Sequence, residues 1–356
     1  MNERLVDVVI AIHQESRPIE RAVGSVLAAA PPGTTAVVVC HGIPADPIAR
    51  RLSGVAGEVQ VLAHEDGVPS PAGPFNAGLD AAKARFVAVM GSDDFLEPGA
   101  LAHWADLAGR TNADAVVARV KHQAGGLVRT PPTRWGRRAT NVSFAADRLA
   151  YRTAPLGLMR RDALADNGLR FTPGLRTGDD LDLGLRLWLR GRVAYARTAP
   201  AYVVGSDAAV RVTMSTRPVV DDLDCCLQVV AAPWFGGLGA RERVAIVVKL
   251  LRIHVFAAVH NRAAPAAWSP EERASLAEST ERILAGAPAA RRHLSLVEAR
   301  LLDAARRPAV DTDTLLALSA RRVRHGRWDT LLTPDPRGLL SAQGPLRLMA
   351  ASALMR

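Results

Sequence analysis

Two adjacent carboxylates, Asp93 and Asp94, stand where an apolar run ends. The stretch FVAVMGSDDFLEPGAL (86–101) passes from apolar residues through Gly91 and Ser92 into the acidic pair, and a Pro-Gly turn opens the next segment. Carboxylate oxygens at the end of a buried strand can hold a divalent cation on a phosphate-bearing substrate. An isolated Ser-Asp-Asp caps a helix just as well, so the pair gains meaning only from its surroundings. A second acidic pair, Asp179-Asp180, directly precedes LDLGLRLWLRG, where Leu181, Leu185 and Trp188 recur on one helical face.

The elements that must carry these groups follow from the hydrophobic pattern. Segments 7–12, 36–40, 59–63 and 86–90 are short apolar runs of the kind buried on both faces of a parallel sheet. Between them, 19–30 and 75–85 have helical spacing, and Gly/Pro-rich loops intervene at 42–44 and 67–74. Strands alternating with helices predict an α/β fold with a doubly wound, Rossmann-like, mostly parallel sheet. Residues 121–138 carry glycines, prolines and scattered basic groups and read as a surface loop. After about residue 218 the strand signals vanish. An apolar helix is expected at 244–260, a capping box at Ser269-Pro270-Glu271-Glu272, and helices at 294–306 and 312–323. The expected division is a catalytic unit over 1–218 and an all-helical unit over 219–356, serving acceptor choice or assembly.

Composition narrows the function. The 356 residues are 49% hydrophobic and 22% charged, as in a globular chain. The net charge of +10 invites nucleic acid as a partner, but the basic residues are scattered arginines, aromatics are 4%, and no nucleic-acid motif is visible, so none is expected. No uninterrupted apolar run reaches membrane-spanning length, and the N-terminus lacks a cleavage site of signal-peptide type. Cys40, Cys225 and Cys226 suit neither a disulfide framework nor zinc spacing, which fits a cytoplasmic setting. Peripheral association with the inner face of a membrane and a homo-oligomer stay open as partner readings.

The order of these parts resembles the family 2 glycosyltransferases of the GT-A fold over roughly the first 215 residues. VVIAIHQES stands where the family has its first-strand loop, with His13 and Gln14 in place of the common Tyr and Asn. FNAGLDAAKARF carries the family's Asn-x-Gly as Asn76 and Gly78. The metal motif appears as Gly91-Ser92-Asp93-Asp94, the acidic pair before a Leu/Arg-rich helix as Asp179-Asp180, and an Arg-x-x-x-Ser segment as Arg211 to Ser215. The resemblance implies inverting transfer of a sugar from a nucleotide-sugar donor to a hydroxyl acceptor, in cell-surface polysaccharide, glycolipid or natural-product synthesis. It implies donor contacts from Ile12, His13, Glu15, His41, Asn76, Ser92, Arg211 and Ser215. Mn2+ or Mg2+ would sit on Asp93 and Asp94, and Asp180 would be the general base with Asp179 orienting it. A cation with Arg211 would neutralise the leaving diphosphate.

This chain departs from the family at three places. Gly91 replaces the first metal-motif Asp, which weakens the expected cation site. Cys40-His41 stands where the family carries Asp-Asp, so uridine is not assumed as the base. His13 offers a stacking surface under the base. A non-catalytic, glycosyltransferase-like nucleotide-binding or scaffold protein is the alternative; a nucleotidyltransferase would need a glycine-rich phosphate loop that HQESRPIE lacks. Trp104 and Trp188 are expected in the core, Arg186 in a structural ion pair, and Asp182 as a solvated or capping residue. Arg134, Arg137 and Arg138 are expected in a solvated loop around Trp135, and 344–356 as a helix packed on the domain.

Overall fold

The computed structural model describes residues 4–28, 30–134, 140, 142–206 and 217–355. Four strands, β1 (Val6–Ile12), β2 (Thr34–His41), β3 (Glu58–His64) and β4 (Phe86–Gly91), lie parallel in the order β3-β2-β1-β4. Helices α1 (Ile19–Leu27), α2 (Ala45–Leu52) and α3 (Ala72–Ala81) connect them. In β1 the alternation of the pleat sends Val6, Val8, Ile10 and Ile12 into one apolar cluster and Val9 into the other. Both faces of β1, β2 and β4 are thus covered, and this is why these runs read as largely apolar rather than alternating, while the edge strand β3 stays partly exposed.

Beyond β4 the order of the main sheet continues through β8 (Gly157–Arg160), β6 (Ala115–Ala118) and β9 (Val193–Ala196). β8 runs antiparallel to both its neighbours, so the seven-stranded sheet is mixed. A second, three-stranded sheet joins β5 (Phe95–Leu96), β10 (Tyr202–Val204) and β7 (Val120–His122). These two-to-four-residue strands are too short to leave a period in the sequence, and 121–138, expected as loop throughout, begins inside one of them. Helix α4 (Ala100–Thr111) packs under β6 and β9, and α5 (Arg161–Asp166) and α6 (Leu181–Arg190) complete this part.

The expected helix at 75–85 starts earlier and stops at Ala81. The buried carboxylate of Asp7 accepts hydrogen bonds from the Lys83 and Ala84 amides, which draws the chain out of the helix into β4. Gly78 lets α3 settle on β1: a Cβ there would come within 2.1 Å of the Val9 side chain.

From residue 219 every regular element is helical: α7 (Val219–Ala231), α8 (Pro233–Gly236), α9 (Ala240–Leu250), α10 (Phe256–Asn261), α11 (Pro270–Ala285), α12 (Leu296–Ala305) and α13 (Thr312–Arg322), then three short helices over Trp328–Leu331, Pro336–Leu339 and Pro345–Ala353. A π-helical stretch, Leu251–Val255, joins α9 to α10. The resulting rod, Ala240–Asn261, is long and apolar enough to cross a membrane, yet Ile246, Val247, Val248, Leu250 and Leu251 are wholly buried inside the protein. One apolar cluster runs from these helices into α6 and the β1–β2 face of the main sheet.

Arg252, on the π-helical stretch, locks that union. Its guanidinium holds Glu298 at 3.0 Å, Tyr151 Oη at 3.0 Å and the carbonyls of His293 and Gln343. Burial pushes the Glu298 carboxyl up, but Arg252 and Arg322, with the hydrogen bonds from Arg252 and the Ser295 amide, together take it down to about 2. The expected capping box at Ser269 is half formed, because Glu272 turns away to accept from the Val219 amide; the complete box lies at Ser295 and Glu298.

Candidate active site

The Asp93-Asp94 turn is held by groups that converge from three directions. Asp94 Oδ2 accepts from the Tyr202 phenol and Asp94 Oδ1 accepts from the Gly205 amide at 2.8 Å. Burial, reinforced by Asp94, keeps the Tyr202 hydroxyl protonated far above the ordinary tyrosine range, so it remains the donor. Tyr202 Oη in turn accepts from the Gly91 amide at 3.3 Å. Each Asp94 oxygen therefore accepts a hydrogen bond from this frame, and Asp94 anchors the turn.

Asp93 differs. Its Oδ2 pairs with Arg17 at 2.8 Å, Arg21 donates to its carbonyl, and no hydrogen bond to Oδ1 occurs among the described residues. A magnesium- or manganese-like cation is commonly held by one or two carboxylates plus substrate phosphates. That donor set fits Asp93 alone, with Arg17 and Arg21 adding positive charge beside it. Gly91 belongs to the same fit, since a Cβ there would stand 2.9 Å from the Asp94 carboxylate and 3.2 Å from that of Asp93.

Opposite this turn lies the second acidic pair. Asp179, Asp180, Gly91, Met90, Pro155 and Phe171 help line a cavity of about 170 Å³ between the end of β4 and the start of α6. Burial, with Asp180 beside it, raises the Asp179 carboxyl to about 7. Burial also raises Asp180, to about 6, against the opposing pull of the Lys249 ammonium. Carboxyls that titrate near neutral pH suit proton transfer.

The turn that presents them leans on the helical region. Gly178 has φ +74°, and a Cβ there would meet Cys225 Sγ of α7 at 2.6 Å. Buried Cys225, Cys226 and Lys249 and half-buried His254 form a group behind the turn, with Lys249 Nζ and His254 Nε2 at 2.8 Å. Asp182, half-buried, does more than meet solvent: its carboxylate accepts from Trp234 Nε1 at 2.8 Å and from Arg186 at 3.2 Å, tying α6 to α8. Arg186 also donates to the Asn167 carbonyl, as expected of a structural ion pair.

The other expected donor contacts separate in space. Ile12 is fully buried in the core, so only its main chain could reach a ligand. Glu15 lies in an exposed loop whose carbonyl receives Arg51. Asn76 spends both amide atoms on the Phe171 main chain, at 2.9 and 3.0 Å, and so positions the loop that carries Phe171. Ser92 is buried. Arg211 and Ser215 lie outside the described residues, as do Trp135, Arg137 and Arg138. His13 sits near both Asp93 and His41; partial desolvation and the adjacent Arg17 and His41 hold its imidazole below the usual range, against Asp93. His41 is not a bystander: its Nε2 meets Asp66 Oδ1 at 2.8 Å.

Sequence reasoning missed Arg17, His64, Asp66, Tyr202 and Lys249. Arg17 directly follows the first-strand loop motif, whereas the others come from segments remote from the motifs and only tertiary packing brings them in. His64 carried a faint signal, since it ends a predicted strand as His41 does.

A mixed sheet with acidic groups at the carboxyl end of its fourth strand, backed by a small second sheet, is the GT-A architecture of nucleotide-sugar enzymes. Residues 7–168 match the model of Glycosyl transferase family 2. Over 222 residues the chain is 30% identical to the succinoglycan biosynthesis protein ExoU of Rhizobium meliloti (strain 1021), a match covering 58% of this chain and 62% of that protein's length. The fold superposes on TarS 1-349 of S. aureus with a TM-score of 0.69 at 18% identity, covering 91% of this chain and 92% of that one. The same protein in complex with UDP-GlcNAc gives 0.69 at 17% identity, covering 91% and 93%.

Proposed function

We propose that this protein is an inverting glycosyltransferase that moves a sugar from a nucleotide-sugar donor to a hydroxyl of an acceptor. The observation that carries this reading is the small cavity that Asp179 and Asp180, their carboxyls held near neutral titration, share with Gly91 at the end of β4, the residue that opens the Asp93-Asp94 turn. The donor diphosphate lies on the side of Asp93, Arg17 and Arg21, and the acceptor hydroxyl enters beside Asp180. Asp180 takes the hydroxyl proton as the oxygen attacks the anomeric carbon, a contribution of about 10²–10⁴-fold. Attack from the side opposite the leaving diphosphate inverts that carbon. A divalent cation on Asp93, when bound, supplies Lewis-acid stabilisation of the leaving diphosphate.

His13 and His41 border the nucleobase end of the cleft, and the unit over 1–218 carries the chemistry. The helical unit over 219–356 supports acceptor choice and also the acidic turn itself, through Cys225 and Lys249. Likeness to a succinoglycan biosynthesis protein favours a polysaccharide or related cell-surface glycan as acceptor, and the UDP-GlcNAc complex of TarS makes UDP sugars the first donors to try. The test is a panel of nucleotide sugars screened by thermal shift with and without manganese, followed by release of nucleoside diphosphate from the best binder. Saturable binding and turnover support the reading. Binding without turnover on any acceptor would favour the non-catalytic alternative.

A further inference from the structure

Apart from the acidic pairs, the chain gathers two histidines and a carboxylate into one cluster at the ends of β2 and β3. His41 and His64 are cross-strand partners in the parallel register, so their side chains leave the same face side by side. Asp66, two residues beyond His64, reaches back to both: His41 Nε2 lies 2.8 Å from Oδ1 and His64 Nε2 lies 3.1 Å from Oδ2. The three ligand atoms lie within 4.8 Å of one another.

From this geometry we infer a second cation site, specific for a borderline transition metal such as Zn2+ or Co2+ and distinct from the phosphate-linked cation expected on Asp93. Imidazole and carboxylate ligands bind such ions at about 2.0–2.2 Å. Neighbouring ligands around one ion then stand about 3.0–3.5 Å apart, from octahedral to tetrahedral angles. The two nitrogen-to-oxygen contacts in the cluster lie close to that spacing, so the ligands are already gathered. Two nitrogens and one oxygen favour zinc, cobalt or nickel over magnesium and calcium, which prefer all-oxygen sets.

The cluster is also held from outside. Asp66 Oδ1 accepts from the Val68 amide at 3.0 Å, and the Gly42 amide donates to the His64 carbonyl at 3.1 Å. Gly73 closes the floor: a Cβ there would stand 2.1 Å from Asp66 Oδ2 and 2.7 Å from His64 Nε2. The three side chains keep between 14% and 27% of their surface in solvent, which leaves open positions for water on the ion. The site stands whether or not the sugar-transfer reading does.

Untagged, chelator-stripped full-length protein titrated with Zn2+ by calorimetry, and with Co2+ by visible absorption, tests this. The expected result is binding of one equivalent, at least about tenfold weaker in His64→Ala and in the shape-preserving Asp66→Asn, and unchanged in Asp93→Ala. Circular dichroism of the metal-free variants separates lost ligation from lost folding. Absent binding in the parent, or affinity equal to the parent's in both cluster variants, would overturn the assignment. So would a thiolate charge-transfer band in the cobalt spectrum, which would put the ion at Cys225 and Cys226.

Discussion

The phenol of Tyr202 donates to Asp94, joining the small sheet to the end of β4 across more than a hundred residues of chain. Together with the Gly205 amide it gives each oxygen of this carboxylate, which a motif would assign to metal, a hydrogen bond. Removing the donor leaves a buried acceptor short of a partner, which costs about 1–3 kcal/mol. Tyr202→Phe should therefore lower stability in urea unfolding by that amount. A variant as stable as the parent would show that the phenol does not hold the turn.

Asp93 and Asp94 should separate experimentally. Asp93→Ala should lose the manganese-dependent part of donor binding with little loss of stability, because its carboxylate faces Arg17 at the cleft. Asp94→Asn should do the reverse in weight, disturbing stability first. Thermal unfolding with and without donor and manganese distinguishes them, and equal behaviour of the two variants would contradict the division of roles.

The acidic pair predicts a pH dependence with a definite sign. A base works only when ionised, and burial has raised both carboxyls, so turnover should climb as pH rises through about 6 to 7 and then level off. The two protons belong to the pair rather than to either residue. Lys249 favours the ionised form of Asp180, so Lys249→Met should move the acidic limb to higher pH. A pH–rate profile that is flat between pH 5 and 8, spanning those values by about one unit, would refute it.

Arg252 and Glu298 make a different kind of prediction, on stability alone. Breaking a buried ion pair by removing one partner costs about 3–5 kcal/mol. Glu298→Gln should unfold correspondingly earlier in denaturant at neutral pH. The Glu298 carboxyl is depressed on folding, so its contribution is complete above the unfolded value near 4.5 and drains away as pH falls towards about 2. The gap between variant and parent should close over that window; a gap that persists at the acidic end would rule out the charge as its source.

Much of the central sheet was legible in the sequence. The runs 7–12, 36–40 and 86–90 are largely apolar because both faces of their strands are buried, and such runs announce themselves; 59–63 forms the partly exposed edge strand β3. The antiparallel β8 and the strands around Tyr202 did not, since two to four residues carry no period. Trp104 and Trp188 proved to be core residues, as their spacing predicts. The acidic pairs were visible as residue types, whereas the roles of Asp94 and Asp182 depend on Tyr202 and Trp234, which no local pattern connects to them. Lys249 is the extreme case: in sequence it is one cation in an apolar helix, and only tertiary packing sets its charge against Asp180.

The most direct test of the sugar-transfer account is Asp180→Asn. The substitution keeps shape and hydrogen bonding but cannot accept a proton. With the best donor and acceptor from the panel, turnover should fall by about 10²-fold or more while donor affinity, read by titration, changes little. Turnover within about threefold of the parent would contradict the account, because a residue that supplies general-base catalysis cannot be removed so cheaply.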